Sequence, residues 1–346
     1  MRDVTPGVWM GNVTTFASLS NWERLIFSKS HWFFANDMLN VVANTILPIF
    51  SIILLGYLLE SKRIIQPSFA RPANQIVFYL ALPAMLINTT AQTPFMANFN
   101  LSVVVSMVVA LGLLVVVGMV LMRLLSIPPE RRGTFLQSGF HGNIGLMSFA
   151  VVYYALGESA FAKAAIMSSF LMVGQNLLAV WVLTAYGPRL GAARGGWTVL
   201  RNILHNPIIL AVAFGIAWSI SGLPMPRPLR QGLDMLSGMA FPMALLLIGA
   251  SLSFGAVKSL VREIVGIGIL KFVCLPLIGY GLMRLLGAPE AMVLPGLILL
   301  ASPPATVTYV MATELGGDSR LAATSISVLT LASALTYSLI LSGIKP

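Results

Sequence analysis

Apolar runs of about 20 residues recur along the chain from Leu39 onward, and Lys, Arg, Asp and Glu gather in the short stretches between them. A helix that crosses a bilayer needs about 20 consecutive apolar residues. The runs predict ten spans, at about 39–59, 74–90, 101–125, 135–156, 160–186, 203–221, 233–254, 264–286, 292–312 and 322–342. Membrane barrels instead show segments of about 10 residues that alternate with period two, and the sequence has none of these. The expected fold is an all-α integral membrane protein.

The stretches between spans carry their charge unevenly. Lys62, Arg63 and Arg71 follow the first span, Arg123, Arg131 and Arg132 the third, Arg189, Arg194 and Arg201 the fifth, and Lys258 and Arg262 the seventh. Even-numbered spans are followed by far fewer, such as Arg227 and Arg230 after the sixth. Cytoplasmic loops are enriched in Lys and Arg, so both termini are expected on the non-cytoplasmic side of a cytoplasmic membrane.

The chain also repeats. Pro48, Gly56 and Pro83 recur 159 residues later as Pro207, Gly215 and Pro242, and Leu121–Leu125 recurs identically as Leu282–Leu286. Leu156-Gly157-Glu158-Ser159 is echoed by Leu315-Gly316-Gly317-Asp318-Ser319. Residues 38–187 and 203–346 thus read as two five-helix repeats joined by a cytoplasmic linker, 188–202. Five is odd, so the repeats are inverted in the membrane, an architecture of secondary transporters whose sites lie in discontinuous helices at the repeat interface.

The fourth and ninth spans are interrupted at matching places. Ser138-Gly139-Phe140-His141-Gly142-Asn143-Ile144-Gly145 puts three glycines, an imidazole and an amide inside an apolar run. Gly costs about 1 kcal/mol relative to Ala in a helix interior, and polar groups in hydrocarbon must line a cavity or a packed interface. About 160 residues on, Ser302-Pro303-Pro304-Ala305-Thr306 breaks the ninth span, since each proline removes a donor and clashes with the preceding turn. The half-helices that follow each break begin near the midplane, with free N–H groups and roughly half a positive charge at each N-terminus. Two such ends suit a carboxylate.

Individual residues near the breaks admit two readings each. Lys271 lies about ten residues past Arg262, some 15 Å from the membrane edge at the rise of an α-helix. It is either a counter-charge for an anionic substrate or a proton carrier, or else a structural ammonium on carbonyls freed at a break. His141 carries a coupling proton or ties off a loose carbonyl. The Asn143 amide holds backbone or substrate. Gln175, Asn176 and Asn44 are polar residues within spans, serving the site or interhelical hydrogen bonds.

Composition narrows the function. The chain is 57% hydrophobic and 9% charged, with mean hydropathy +0.88, far below the charge content of soluble domains, about 25%. A net charge of +10 is scattered singly between spans and reports loop charge rather than a nucleic-acid surface. One cysteine, Cys274, excludes a disulfide framework within the chain. No metal-ligand cluster or paired intramembrane carboxylates stand in the sequence, so neither an enzyme nor a cofactor is expected. Residues 1–37 hold Trp9, Trp22, Trp32, Phe33 and Phe34 among polar residues, and read as an interfacial segment or as the product of a start upstream of Met38.

Six stretches in series carry a family likeness. ILPIFSIILLGYLL in the first span, YLALPAMLI in the second, GNIG in the fourth, LIGASLS in the seventh, KFVCLPL in the eighth and PPATVTYVMATELGGD across the ninth resemble the auxin efflux carrier family from Met38 to the C-terminus. The resemblance implies ten helices in two inverted five-helix repeats with broken, crossing helices 4 and 9, as in the bile acid/sodium symporter fold. It implies a permease for small organic anions, since bacterial members are described as carriers of malonate, malate and similar acids and plant members export auxin. By position it assigns Gly142, Asn143 and Gly145 to the motif of the fourth span, Pro303 and Pro304 to that of the ninth, and the lysine of the eighth to Lys271. The chain departs from the family pattern at Ser148 and Ala150, where Gly and Pro are usual, and at Val307, often Asn.

The expected function is a secondary active transporter of a mono- or dicarboxylate by alternating access, the alternative being an anion channel or facilitated exchanger of the same fold. The expected substrate site comprises Gly142, Asn143, Ile144, Gly145, Ser302 to Thr306 and Lys271, with His141, Asn44, Gln175 and Asn176 in coupling or secondary roles and no metal. A proton or Na⁺ is the candidate coupling ion. Partners are the substrate and the lipid bilayer, with a homodimer left open.

Overall fold

Prolines accompany most of the places where the helices widen. In the computed structural model, which describes residues 42–186 and 205–343, three wide, π-helical turns stand at Val42–Ile46, Val77–Ala81 and Leu270–Cys274. Each ends two residues before a proline, namely Pro48, Pro83 and Pro276. Proline has no N–H to give and its ring crowds the carbonyl four residues back. A turn closed five residues apart relieves both, as where Leu82 N–H donates to Val77 O.

All regular structure among the described residues is helical. We label α1 Val42–Ser61, α2 67–91, α3 Leu101–Leu124, α4 Arg132–Phe140, α5 144–156, α6 158–186, α7 Pro207–Ser221, α8 Arg227–Ala250, α9 Val261–Leu285, α10 Glu290–Leu300, α11 Val307–Glu314 and α12 Ser319–Gly343. Among the described residues, six helical runs are long and apolar enough to cross a membrane: α1, α3, the run Ile144–Tyr186, α8, α9 and α12. Within Ile144–Tyr186 the helix is broken at Gly157, whose φ of 78° lies where a Cβ is disfavoured, so that α5 and α6 are separate rods. Boundaries differ from the sequence expectation where polar residues continue a helix. α2 begins at Pro67 rather than at 74, and α8 at Arg227 rather than at 233, because Pro favours the first helical turn. The N-terminal extension and the 188–202 linker lie outside the described residues.

Packing pairs α1 with α8, α2 with α7, and α3 with α9. Glycines set the first two distances. A Cβ on Gly56 would land on the Leu246 carbonyl, one on Gly249 on the Ile53 carbonyl, and one on Gly215 on the Thr90 hydroxyl. Backbones approach this closely in membranes only through such small residues.

At the end of the bundle where α4 begins, Arg131 ties three elements together. Its Nη1 donates to Glu263 Oε1 at 2.7 Å and its Nε to Asp318 Oδ2 at 3.2 Å, while Asp318 N–H donates to Thr134 Oγ1 at 2.9 Å. The bond to Glu263 holds the guanidinium above its ordinary pKa. Glu263 is 2% exposed, and a buried charge stripped of its partner costs about 3–5 kcal/mol. Arg131→Ala is therefore expected to lower the thermal midpoint of the purified protein, and adding Glu263→Gln to recover most of the loss. Equal midpoints for the single variant and the parent would show the pair to be idle.

Candidate functional site

Two chain breaks meet where the sequence places them. After α4 the backbone leaves the helix at His141, with φ −79° and ψ 99°. After α10 it leaves at Ala301 and re-forms a helix at Val307. The two extended pieces pair as a single antiparallel bridge, Gly142 with Pro304. Asn143 N–H donates to Pro303 O at 2.8 Å and Ala305 N–H to His141 O at 3.0 Å. The bridge answers the backbone accounting that a broken helix in hydrocarbon raises. Only glycine fits at its centre, because a Cβ on Gly142 would stand 2.8 Å from Ser302 Cβ and 3.0 Å from Lys271 Nζ.

The carbonyl freed at the end of α4 has two donors. Lys271 Nζ reaches Phe140 O at 2.8 Å and Gln175 Nε2 reaches it at 3.0 Å. Lys271 is 0% exposed and Gln175 1%. The ammonium thus stands beneath the bridge, on backbone oxygen. The wide turn Leu270–Cys274 carries it there.

Beyond the bridge, α5 opens with a fourth wide turn, Ile144–Ser148, in which Met147 and Ser148 both donate to Asn143 O, at 3.1 and 3.3 Å. The amides of Ile144, Gly145 and Leu146 precede the first acceptor that the helix supplies. All three residues line a cavity of about 480 Å³. Asn143 uses its backbone N–H and carbonyl in the bridge and the turn, which leaves its side-chain amide for the cavity it also lines. The start of α11 contributes Ala305, Thr306 and Val307 to the same wall. Ser148, at a departure from the family pattern, donates to Ile298 O at 3.1 Å and meets the Tyr337 hydroxyl at 3.2 Å, locking α5 to α10 and α12.

The residues singled out in the sequence divide accordingly. His141, Gly142, Asn143, Ile144, Gly145, Gln175, Asn176, Ala305 and Thr306 line the cavity. Ser302, Pro303 and Pro304 are buried behind it, and Lys271 braces it from below. Asn44 is exposed in the first turn of α1 and does not line it. His141 Nδ1 is buried without a hydrogen-bond partner. The facing wall was not foreseen: Asn74 and Phe78 on α2, and Asn206 and Ile208 at the head of α7. Asn206 Oδ1 caps α7 by accepting from Ile208 N–H at 2.9 Å, and Asn before Pro is a signal for such a cap. No group of three or more His, Cys, Asp or Glu side chains among the described residues is arranged to hold a metal.

Known proteins are similar to this sequence over most of its length. The profile of a family described as "Membrane transport protein" matches residues 41–193 and 196–341. A "Putative malonate transporter" of Rhizobium meliloti (strain 1021) is 30% identical over 316 residues, covering 88% of this chain and 98% of that protein. An uncharacterized transporter of Methanocaldococcus jannaschii is 24% identical over 304 residues, covering 86% of this chain and 96% of its own.

Proposed function

The chain belongs to the auxin efflux carrier family of membrane transport proteins, and on that premise we propose that it is a secondary carrier of a small organic anion, a mono- or dicarboxylate, working by alternating access. The observation that carries the reading is that the first residues of α5, Ile144 to Leu146, line the cavity beside a bridged double break. Amides at a helix N-terminus bind carboxylate by hydrogen bonds and by the helix dipole together. Thr306 and Val307 bring the head of α11 to the same cavity, and behind the bridge Lys271 Nζ donates to Phe140 O.

The ten-span, inverted-repeat arrangement forms part of this reading. It is supported by the offset of 159, which carries α1 onto α7 and α2 onto α8. The observed pairs α1–α8 and α2–α7 exchange under that operation, as two halves related by a pseudo-two-fold would require. With the Lys- and Arg-rich loops in the cytoplasm, both termini lie outside. The coupling ion is a proton or Na⁺, and uptake under separately imposed pH and Na⁺ gradients distinguishes them.

Purified protein in liposomes tests the function. Uptake or counterflow of some member of a panel of mono- and dicarboxylates is expected, with thermal stabilisation by the same compound. Neither effect from a folded preparation would sink the reading. Asn143→Ala is expected to weaken carboxylate binding by about ten-fold or more, the usual loss for one hydrogen bond to a charged group, with little change in expression.

A further inference from the structure

Two cavities adjoin at the crossover and a third is cut off from it. The 480 Å³ cavity shares Asn74, Leu146, Thr306 and Tyr309 with one of about 530 Å³ that runs to Glu60 and Gln66. The third, about 200 Å³, takes the opposite halves of the same two helices, with Asn88 and Thr89 on α2 and Asp234 on α8, and adds Glu158 just past Gly157. It shares no lining residue with the others. Along α5, between Leu146 and Glu158, stand Phe149, Tyr153 and Tyr154, and Tyr153 and Tyr154 line the third cavity with Phe241. Phe241 of α8 lies 5.4 Å from Tyr153 and 5.8 Å from each of Tyr154 and Phe161, and Phe149 backs Phe161 at 5.2 Å. Phe241 is 2% exposed and follows the Gly238-Met239 turn between the two segments of α8.

The internal repeat makes this cluster one-sided. At the offsets of 159 to 160 found in the sequence, Phe241 corresponds to Leu82, Tyr153 to Ala312, Tyr154 to Thr313 and Phe161 to Leu321. Three rings of the first repeat and one of the second meet here, and the matching place holds Leu82, Ala312, Thr313 and Leu321, none of them aromatic. Aromatic pairs contribute beyond the area they bury, and a difference between two otherwise matched conformations sets their populations.

We propose that Tyr153, Tyr154, Phe161 and Phe241 form the carrier's gate on the Glu158–Asp234 side, and that their absence from the matching place holds the resting protein with its site open toward Glu60. By the charge of the neighbouring loop, that side is the cytoplasm. The gate acts on the binding cavity proposed above and so rests on that reading.

Accessibility of a single cysteine tests it without transport. In a Cys274→Ser background, Leu146→Cys places a thiol where the two open cavities join. In oriented proteoliposomes, a membrane-impermeant maleimide is expected to label it from the Glu60 side and about ten-fold or more slowly from the other. Phe241→Leu, and independently Tyr153→Leu, are expected to speed labelling from the Glu158 side by about ten-fold, the scale of losing one to three aromatic pairs. Phe241→Tyr is expected to keep it slow. Equal labelling from both sides in the parent, or no change in either leucine variant, would overturn the proposal. Failure of every carboxylate to be transported, with the sided labelling intact, would count against the carrier and leave the gate standing.

Discussion

Exchange of Lys271 for methionine is expected to lower the maximal transport rate by about ten- to hundred-fold. The side chains are similar in length, so the change removes charge and hydrogen bonding while largely keeping the packing. Lys271 Nζ donates to the last carbonyl of α4 at 2.8 Å, within 3.0 Å of where a Cβ on Gly142 would be. Hydrogen bonds to charged groups contribute about 1.5–3 kcal/mol, and a factor of ten is about 1.4 kcal/mol. Gln175 still holds Phe140 O, so the bridge is expected to form and the protein to express. Kinetics separate the two roles open to this residue. A fall in rate at unchanged KM marks a brace for the crossover, and a rise in KM marks a charge felt by the substrate. Wild-type values for both would remove Lys271 from the mechanism.

Gly249→Val is expected to cost the protein its fold, or most of its thermal margin. The obstruction is backbone, which cannot rotate away: a Cβ there would land on the Ile53 carbonyl and 2.9 Å from Tyr57 N. Gly56 meets the Leu246 backbone in the same way from the opposite helix, so neither rod can yield without parting from the other. Overpacking in a well-packed core costs about 1–3 kcal/mol where side chains can adjust, and a backbone clash stands at or above the top of that range. Gly249→Ala is expected to give a lower thermal midpoint and Val a loss of monodisperse protein. Gly112→Ala, with nothing within 4 Å of the new Cβ, serves as the control and is expected to be neutral or stabilising. An unchanged midpoint for Gly249→Ala would mean that α1 and α8 are held apart by something else.

The sequence showed the crossover because its two halves advertise it by different means. Glycines loosen one span and prolines forbid the other, and the internal repeat brings them into correspondence. Lys271 stood out because an ammonium deep in an apolar run is expensive. Its partner is a main-chain oxygen, Phe140 O, and no residue type signals that. Gln175 shares this oxygen for the same reason. Asn206 was missed because it sits at a helix end, where Asn is ordinarily read as a turn or cap residue, and Asn74 because the expected span began on it, whereas α2 starts seven residues earlier, at Pro67. Asn206 is such a cap, and it reaches the cavity as well. Asn44 drew notice as an amide in an apolar run, yet rotation about the helix axis turns it outward. A run apolar on most of its circumference gives no period from which that rotation can be read.

The wide turns of the fold carry one more consequence. Three of them end two residues before a proline, whose missing N–H and ring favour the width there. The fourth, Ile144–Ser148, has Ala150 at that place, a residue that keeps its proton. Asn143 O already accepts from the residues four and five places on. At the amides proposed to hold the substrate, therefore, two helical pitches share one acceptor, and no ring forbids either. A bound carboxylate, gripping the amides of one pitch, would act on a screw thread that is free to turn.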